Sequence, residues 1–261
     1  MRWDAIVWGL GLMLSLDQIE VIKEQAYAGI SSSLGNICKI YPNKMIEIIE
    51  MGSNVYNKRL GLLLLNEVDI AKIIKDKTKQ EPKIEEIYPL SYLLQSADND
   101  DMFLLELQLA FSTFIKEDIL LLPKINSVLV GSPKDRRLIT NENFADFQDI
   151  LRVQNIRKIK EPPPPNESAI ARKFRLKGEL RDAIKKQQQA KNNEEQSLAE
   201  LLEIAETFGI DYKNKTFYAF YRLLTRHRLR EAWDQYIQML CAGAESKKIK
   251  TEYWGGSLKE K

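Results

Sequence analysis

Few side chains in this sequence are equipped for chemistry. His227 is its one imidazole, and Cys38 and Cys241 are its two thiols. A Ser-His-Asp or Cys-His catalyst would have to use His227, which sits in Thr225-Arg-His-Arg228 within a turn of Arg222, Arg226, Arg228 and Arg230. Those cations disfavour the imidazolium that a general base must become, so the expectation is a solvated helical histidine. Structural zinc needs four nitrogen or sulfur ligands and catalytic zinc three, and one His with two Cys supplies neither. The thiols lie 203 positions apart with no spacing pattern, which fits a reducing compartment rather than a disulfide framework. Asp98-Asn-Asp-Asp101 resembles the start of a calcium loop but has Phe103 where the turn needs Gly and Leu109 where it needs Glu, so it reads as a helix cap. Gly9-Leu-Gly11 lacks the third glycine of a phosphate cradle, and no spacing singles out a carboxylate pair. The expectation is a chain that is not an enzyme and takes no metal or cofactor.

Charge carries more information. The 39 Lys+Arg and 37 Asp+Glu leave a formal +2, but up to Asn166 there are 20 basic and 23 acidic residues, and after it 19 and 14. Two basic groups produce the difference. One is Arg172, Lys173, Arg175, Lys177 and Arg181, within a run reaching Lys191; the other is Arg222, Arg226, Arg228 and Arg230 beside Tyr218 and Tyr221. Arginines with aromatic rings suit phosphate contact and base stacking, which makes a nucleic-acid-binding regulator the alternative of another class. Against it, Phe217, Phe220 and Leu224 have core spacing and no binding motif accompanies them.

The elements that must position these residues read as mainly α. Residues 1–80 form a helical N-terminal region. The apolar run Ala5–Leu16 is too short to span a bilayer and lacks the basic lead-in of a secretory leader, so it is expected to dock on the core. Ser15-Leu-Asp-Gln18 has capping-box form, Gly29–Gly35 breaks the helix that follows, and Asn43 is expected to cap Met45–Met51. Residues 83–157 form a helical module. Helix is expected after Pro89 with Ser91 as a candidate cap, and Met102–Leu122 reads as one buried helix. A small β-hairpin is placed near 126–140, and Asn141 or Asn143 caps the helix after it. Residues 158–196 form a Pro-rich linker and a long basic helix. The prolines of Glu161-Pro-Pro-Pro-Pro-Asn166 make a stiff spacer about 12 Å long. The helix, with Ile170, Phe174, Ala183 and Ile184 as its apolar positions, is polar nearly all round, which fits a solvent-bridging, partner-dependent or only marginally formed helix. Residues 197–261 form a C-terminal helical module: Ser197-Leu-Ala-Glu200 caps one helix, and Phe217 to Leu240 trace a long one ended by Gly243.

Three pieces of this layout resemble tail-morphogenesis proteins of tailed bacteriophages, in particular tail assembly chaperones. They are Ile139-Thr-Asn-Glu-Asn-Phe-Ala-Asp-Phe-Gln-Asp-Ile150 with Gln154-Asn155 and the Pro-rich break; Ser197-Leu-Ala-Glu-Leu-Leu202 leading to Phe217-Tyr-Ala-Phe-Tyr-Arg-Leu-Leu224; and Gln238-Met-Leu-Cys-Ala-Gly-Ala244 with Lys248-Ile-Lys250 and Trp254. The resemblance implies a mostly helical, non-enzymatic protein of the host cytoplasm, or of the virion if it stays in the particle. Its implied partners are other tail proteins (tape-measure, tail-tube or baseplate components), with homo-oligomerisation compatible and no membrane involved. The partner-binding candidates are Arg172, Lys173, Arg175, Lys177, Arg181, Tyr221, Arg222, Arg226, Trp233, Tyr236 and Trp254.

Overall fold

The structure of the chain is a computed structural model that describes residues 14–80, 82–132, 134–159, 167–189 and 196–242. The docking expected of the apolar N-terminal run before residue 14, the four-proline spacer, the helix stop at Gly243 and the candidate Trp254 lie outside them.

The described residues are mainly helical. In chain order come α1 (Leu16–Ala28), β1 (Ser32–Leu34), β2 (Cys38–Ile40), α2 (Met45–Met51), α3 (Ser53–Leu63), α4 (Glu67–Thr78), a 3-10 turn (Ile84–Glu86), α5 (Pro89–Asp98) and α6 (Asp101–Phe114). They are followed by β3 (Ile119–Leu122), β4 (Ser127–Val130), β5 (Arg137–Ile139), α7 (Asn141–Gln154), α8 (Ala169–Gln189), α9 (Leu198–Thr207) and α10 (Phe217–Cys241). The helix starts follow side-chain chemistry. The Ser15 hydroxyl accepts from Gln18 N at 3.2 Å while the Gln18 side chain accepts from Ser15 N at 2.8 Å, and Asp100 accepts from Met102 N and Phe103 N. Pro89 occupies the first position of α5, where its missing N–H costs nothing.

Several expectations need correction. The Ser/Gly-rich break after α1 is a two-stranded antiparallel hairpin, Ser32 opposite Ile40 and Leu34 opposite Cys38. The apolar stretch from Met102 to Leu122 is not one helix: α6 stops at Phe114, and Ile119–Leu122 pairs with β4, Ile119 opposite Val130 and Leu122 opposite Ser127. An Ile-Leu-Leu-Leu run suits helix or strand equally, and the strand beside it decides. The hairpin near 126–140 is present as β4–β5, with β4 the central strand of this three-stranded sheet and β5 an edge. Its turn needs Gly131, at φ +101°, where a Cβ would collide with the Asp135 carbonyl. Three cap assignments shift by one to three residues: α2 is preceded by Lys44, α7 by Thr140 and α5 by Tyr88.

The compositional divisions do not correspond to separate cores. Ile22, Met45 and Tyr56 share one hydrophobic cluster with Phe111, Phe114 and Phe147, and also with Leu201, Phe220 and Leu224. The chain before α10 secures this arrangement by lying against the start of α2. Met45 N donates to Lys215 O at 2.8 Å, Ile46 N to Lys213 O at 3.2 Å, and Phe217 N to Asn43 O at 3.0 Å. Two amides that a helix start leaves without intrahelical acceptors are thus satisfied by a segment about 170 positions away. Thr216 Oγ1 donates to Ala26 O at 2.6 Å and ties the same segment to the end of α1.

The basic helix also differs from expectation. Leu176 and Leu180, absent from its anticipated apolar set, are buried in a second, smaller cluster with Val68 and Ala71 of α4 and Ile84 of the 3-10 turn. Ile170 and Phe174 instead remain about 70% exposed. A pair of leucines four positions apart is enough to dock one stripe of a helix whose other faces are charged.

Candidate functional site

The last helix carries the most unusual distribution of side chains. At 3.6 residues per turn, Phe217, Phe220 and Leu224 fall on one face of α10, and this face enters the main core. Arg222, Arg226, Leu229, Trp233, Tyr236, Ile237 and Leu240 fall on the opposite face. The helix is therefore apolar on one side in its first turns and on the other side in its last turns. From Thr225 to Ala242 no residue is buried, so about 25 Å of helix has no buried contact with the core. Ile237 and Met239 are more than 40% exposed, and the partly buried Trp233 and Tyr236 rings lie against each other, centroids 5.3 Å apart.

At the root of this helix, α1 and α10 enclose an open groove of about 280 Å³ lined by Lys23, Glu24, Tyr27, Tyr218, Arg222, Leu223 and Arg226. The Arg222 guanidinium sits 5.8 Å from the Tyr218 ring centre, and Lys23 also meets Glu20 at 3.0 Å. Three cations and one carboxylate line the groove, so it favours an anionic group. Lys23, Tyr27 and Leu229 were not among the candidates. The two α1 residues read as ordinary surface positions until α1 is placed beside α10, whereas Leu229 was legible from its spacing to Trp233 and Tyr236.

The other candidates are divided by the fold. Arg175 is held within the chain: Nε and Nη2 donate to Glu167 at 2.8 and 3.0 Å, and Nη1 to Glu179 at 2.6 Å. That fork fixes the chain where it enters α8, and it holds the Glu167 carboxyl below its ordinary range. Lys173 meets Glu85 at 3.3 Å, and Lys177 adds positive charge near the same carboxylate. Arg172 and Arg181 are exposed. The structure does not bring these five together with α10 into one basic surface. Tyr221 packs on Phe217 and Phe220, centroids 4.6 and 5.5 Å apart, so its ring is used inside the fold. Arg228 donates to Gln196 at 2.9 Å on the side of α10 away from the groove, and Arg230, one turn beyond Arg226 on the groove side, faces Asp234 at 4.0 Å. The solvated histidine is a correction too: His227 is half-buried and stacks on Phe208 at 5.3 Å, because the end of α9 lies against that side of α10.

Most of the remaining polar chemistry is buried in α7, which is enclosed from Phe147 to Asn155. Arg152 meets Asp149 at 2.7 Å and donates to Leu64 O at 3.5 Å, while Gln148 Nε2 donates to the carbonyls of Leu63 and Leu65 at 2.8 Å each. These are the carbonyls left open where α3 ends, so the two side chains close a helix terminus. Gln154 donates to Ile40 O at 3.1 Å, and Tyr56 OH donates to Asn155 Oδ1. Burial raises the Tyr56 hydroxyl above its ordinary range and pushes the Cys38 thiol up to about 12. Asp146, at the rim of the same helix, is raised to about 6 by partial burial and by the negative charge of Asp149. Gln148, Arg152 and Gln154 in this cluster satisfy backbone carbonyls of Leu63, Leu64, Leu65 and Ile40. Among the described residues no group of His, Cys, Asp and Glu could hold a metal, and no helix is long and apolar enough to cross a membrane. In comparisons with known proteins, the chain matches no family model, no curated protein and no solved structure.

Proposed function

We propose that this chain is a non-enzymatic assembly protein of a tailed bacteriophage, a tail assembly chaperone-like factor that binds other tail proteins through α10. The observation that carries the reading is the outer half of α10, which has no buried residue, leaves Ile237 and Met239 exposed and holds Trp233 and Tyr236 only partly buried. An exposed aromatic and apolar stripe on a helix more than 10 residues long is a recognised mode of helical recognition. Of the three phage-like pieces of sequence, one falls on α9 and the first turns of α10 and another begins at the end of α10.

The deciding experiment compares purified particles with infected-cell lysate by mass spectrometry, alongside complementation with Trp233→Ala/Tyr236→Ala. A chaperone is abundant in lysate and missing from particles, and the double variant yields fewer tails at unchanged protein level. Abundance in particles would instead make the chain a permanent tail or baseplate component. Normal tails from the double variant would remove α10 from the function. For the nucleic-acid alternative, a titration without salt-dependent affinity eliminates it. The occupied Tyr221 ring and the Arg228–Gln196 contact weigh against that class.

A further inference from the structure

Two exposed helix faces of opposite charge stand on elements other than α10. On α6, Met102, Leu105 and Leu109 follow the three- and four-residue spacing of a helix–helix seam, and Met102 is 76% exposed. Their acidic neighbours are Asp98, Asp100 and Asp101, all exposed at the start of the helix. On α8, Ile170 and Phe174 lie four positions apart and exposed, and Arg181 falls two turns beyond Phe174 on the same face. Leu176 and Leu180 fix another side of α8 to α4, and Phe174 stays exposed, so this face is not laid on the chain's own α6. The two faces match in length. Eleven positions, about 16 Å of helix, separate Asp101 from Ser112 and Ile170 from Arg181.

We propose that α8 of one copy docks antiparallel on α6 of a second copy, and that the chain self-associates head to tail through this contact. Antiparallel alignment sets Arg181 over Asp101, places Phe174 between Leu105 and Leu109, and brings Ile170 to Ser112. Gly178 then faces Leu105, and close approach is open there because a Cβ on Gly178 would meet nothing within 4 Å. Charge selects the occupant. From Arg172 to Arg181 there are five basic residues and one acidic, so α8 against α8 is repulsive. Two copies of α6 would offer its acidic end only Lys58 and Lys116, which already meet Glu106 and Glu47 at 3.7 Å each. A parallel alignment of α8 on α6 would carry Arg181 to the Lys116 end and leave the aspartates unmatched. Each copy offers one face of each kind, so the contact is heterologous: it closes into a ring or continues as a chain, according to the rotation it imposes. The inference stands apart from the reading of α10 and gives a use to the division of charge along the sequence.

The test follows the full chain by sedimentation velocity across a concentration series. The parent should grow beyond a dimer as concentration rises, and added salt should weaken the association. Met102→Ser/Leu105→Ser and Ile170→Ser/Phe174→Ser should each stay monomeric with circular dichroism unchanged, since none of the four residues is buried. An equimolar mixture of these two double variants should form a dimer and stop there, because one intact α8 face meets one intact α6 face. Arg181→Asp should weaken association about tenfold, and Asp101→Arg placed in the same chain should recover most of it. A parent that is monomeric throughout, or a mixture that stays monomeric, overturns the proposal. So does association that both double variants leave intact, as contact through α10 would give. Dimerisation of either double variant alone also overturns it, by assigning the interface to two like helices.

Discussion

Leu176 and Leu180 should hold α8 on the body without contributing to the main core, and truncating both should release that helix alone. Each is at least nine-tenths buried, in a cluster completed by Val68, Ala71 and Ile84. Fully burying a leucine side chain contributes about 2 kcal/mol, so the pair supplies about 4 kcal/mol to docking. The Lys173–Glu85 pair lies at the surface, where solvent screening leaves it little weight. Leu176→Ala/Leu180→Ala therefore removes nearly everything that opposes the entropy of a free helix. Native-state hydrogen exchange is the suitable assay. Amides over 170–182 should lose about three orders of magnitude of protection, matching the 4 kcal/mol, while those of Phe147–Asn155 in α7 stay within about threefold of the parent. Trypsin should cut at Arg172, Lys177 and Arg181 under native conditions. Equal loss in α7 and α8 would refute the reasoning by showing that the second cluster is part of the main cooperative unit. Unchanged α8 protection would refute it by showing that the leucines are not the attachment.

Three further outcomes follow from the buried polar groups. Asp146→Asn should stabilise the protein at neutral pH, because a carboxyl raised from 3.8 to about 6 penalises the folded state once it must ionise. The penalty is absent below about pH 4, grows to about pH 6 and is constant above; it is worth about 1–2 kcal/mol at this part-exposed site, so urea midpoints should differ at pH 7 and coincide at pH 4. Arg152→Met should cost about 3–5 kcal/mol in chemical denaturation, since it strips a buried Asp149 of its guanidinium and reopens the Leu64 carbonyl. A thiol reagent at pH 8 should modify exposed Cys241 rapidly and buried Cys38 only after unfolding, giving one reactive group per native chain and two in denaturant.

Much of the framework was legible from local chemistry. Ser15, Asp100 and Ser197 cap helices because the donors they satisfy lie within three residues, and Pro89 can only start a helix. The same locality placed the β4–β5 hairpin and the full span of α10. What failed involved choices that adjacent residues do not make. Ile119–Leu122 became a strand because β4 lies beside it, and the Ser/Gly-rich segment became a hairpin because residues on both sides of its turn enter the core. Leu176 and Leu180 were hidden in a charged helix whose exposed Phe174 drew more attention than the two residues that dock it.

The partner-binding candidates divide along the same line. Arg175 and Lys173 counted as positive charge in the sequence, and the fold commits them to Glu167, Glu179 and Glu85. Arg222, Arg226, Trp233 and Tyr236 were named together, but their shared surface depends on α1 standing beside the root of α10 and on a core that ends at Leu224. By itself the sequence determined which residue types are present: one imidazole, two distant thiols, and a charge that divides at the prolines into an acidic part and a basic one. Tertiary structure decided which of those charges are held in ion pairs and which face of the last helix enters the core. Ionisation and helix capping act over a few residues, whereas burial is settled only when distant segments meet.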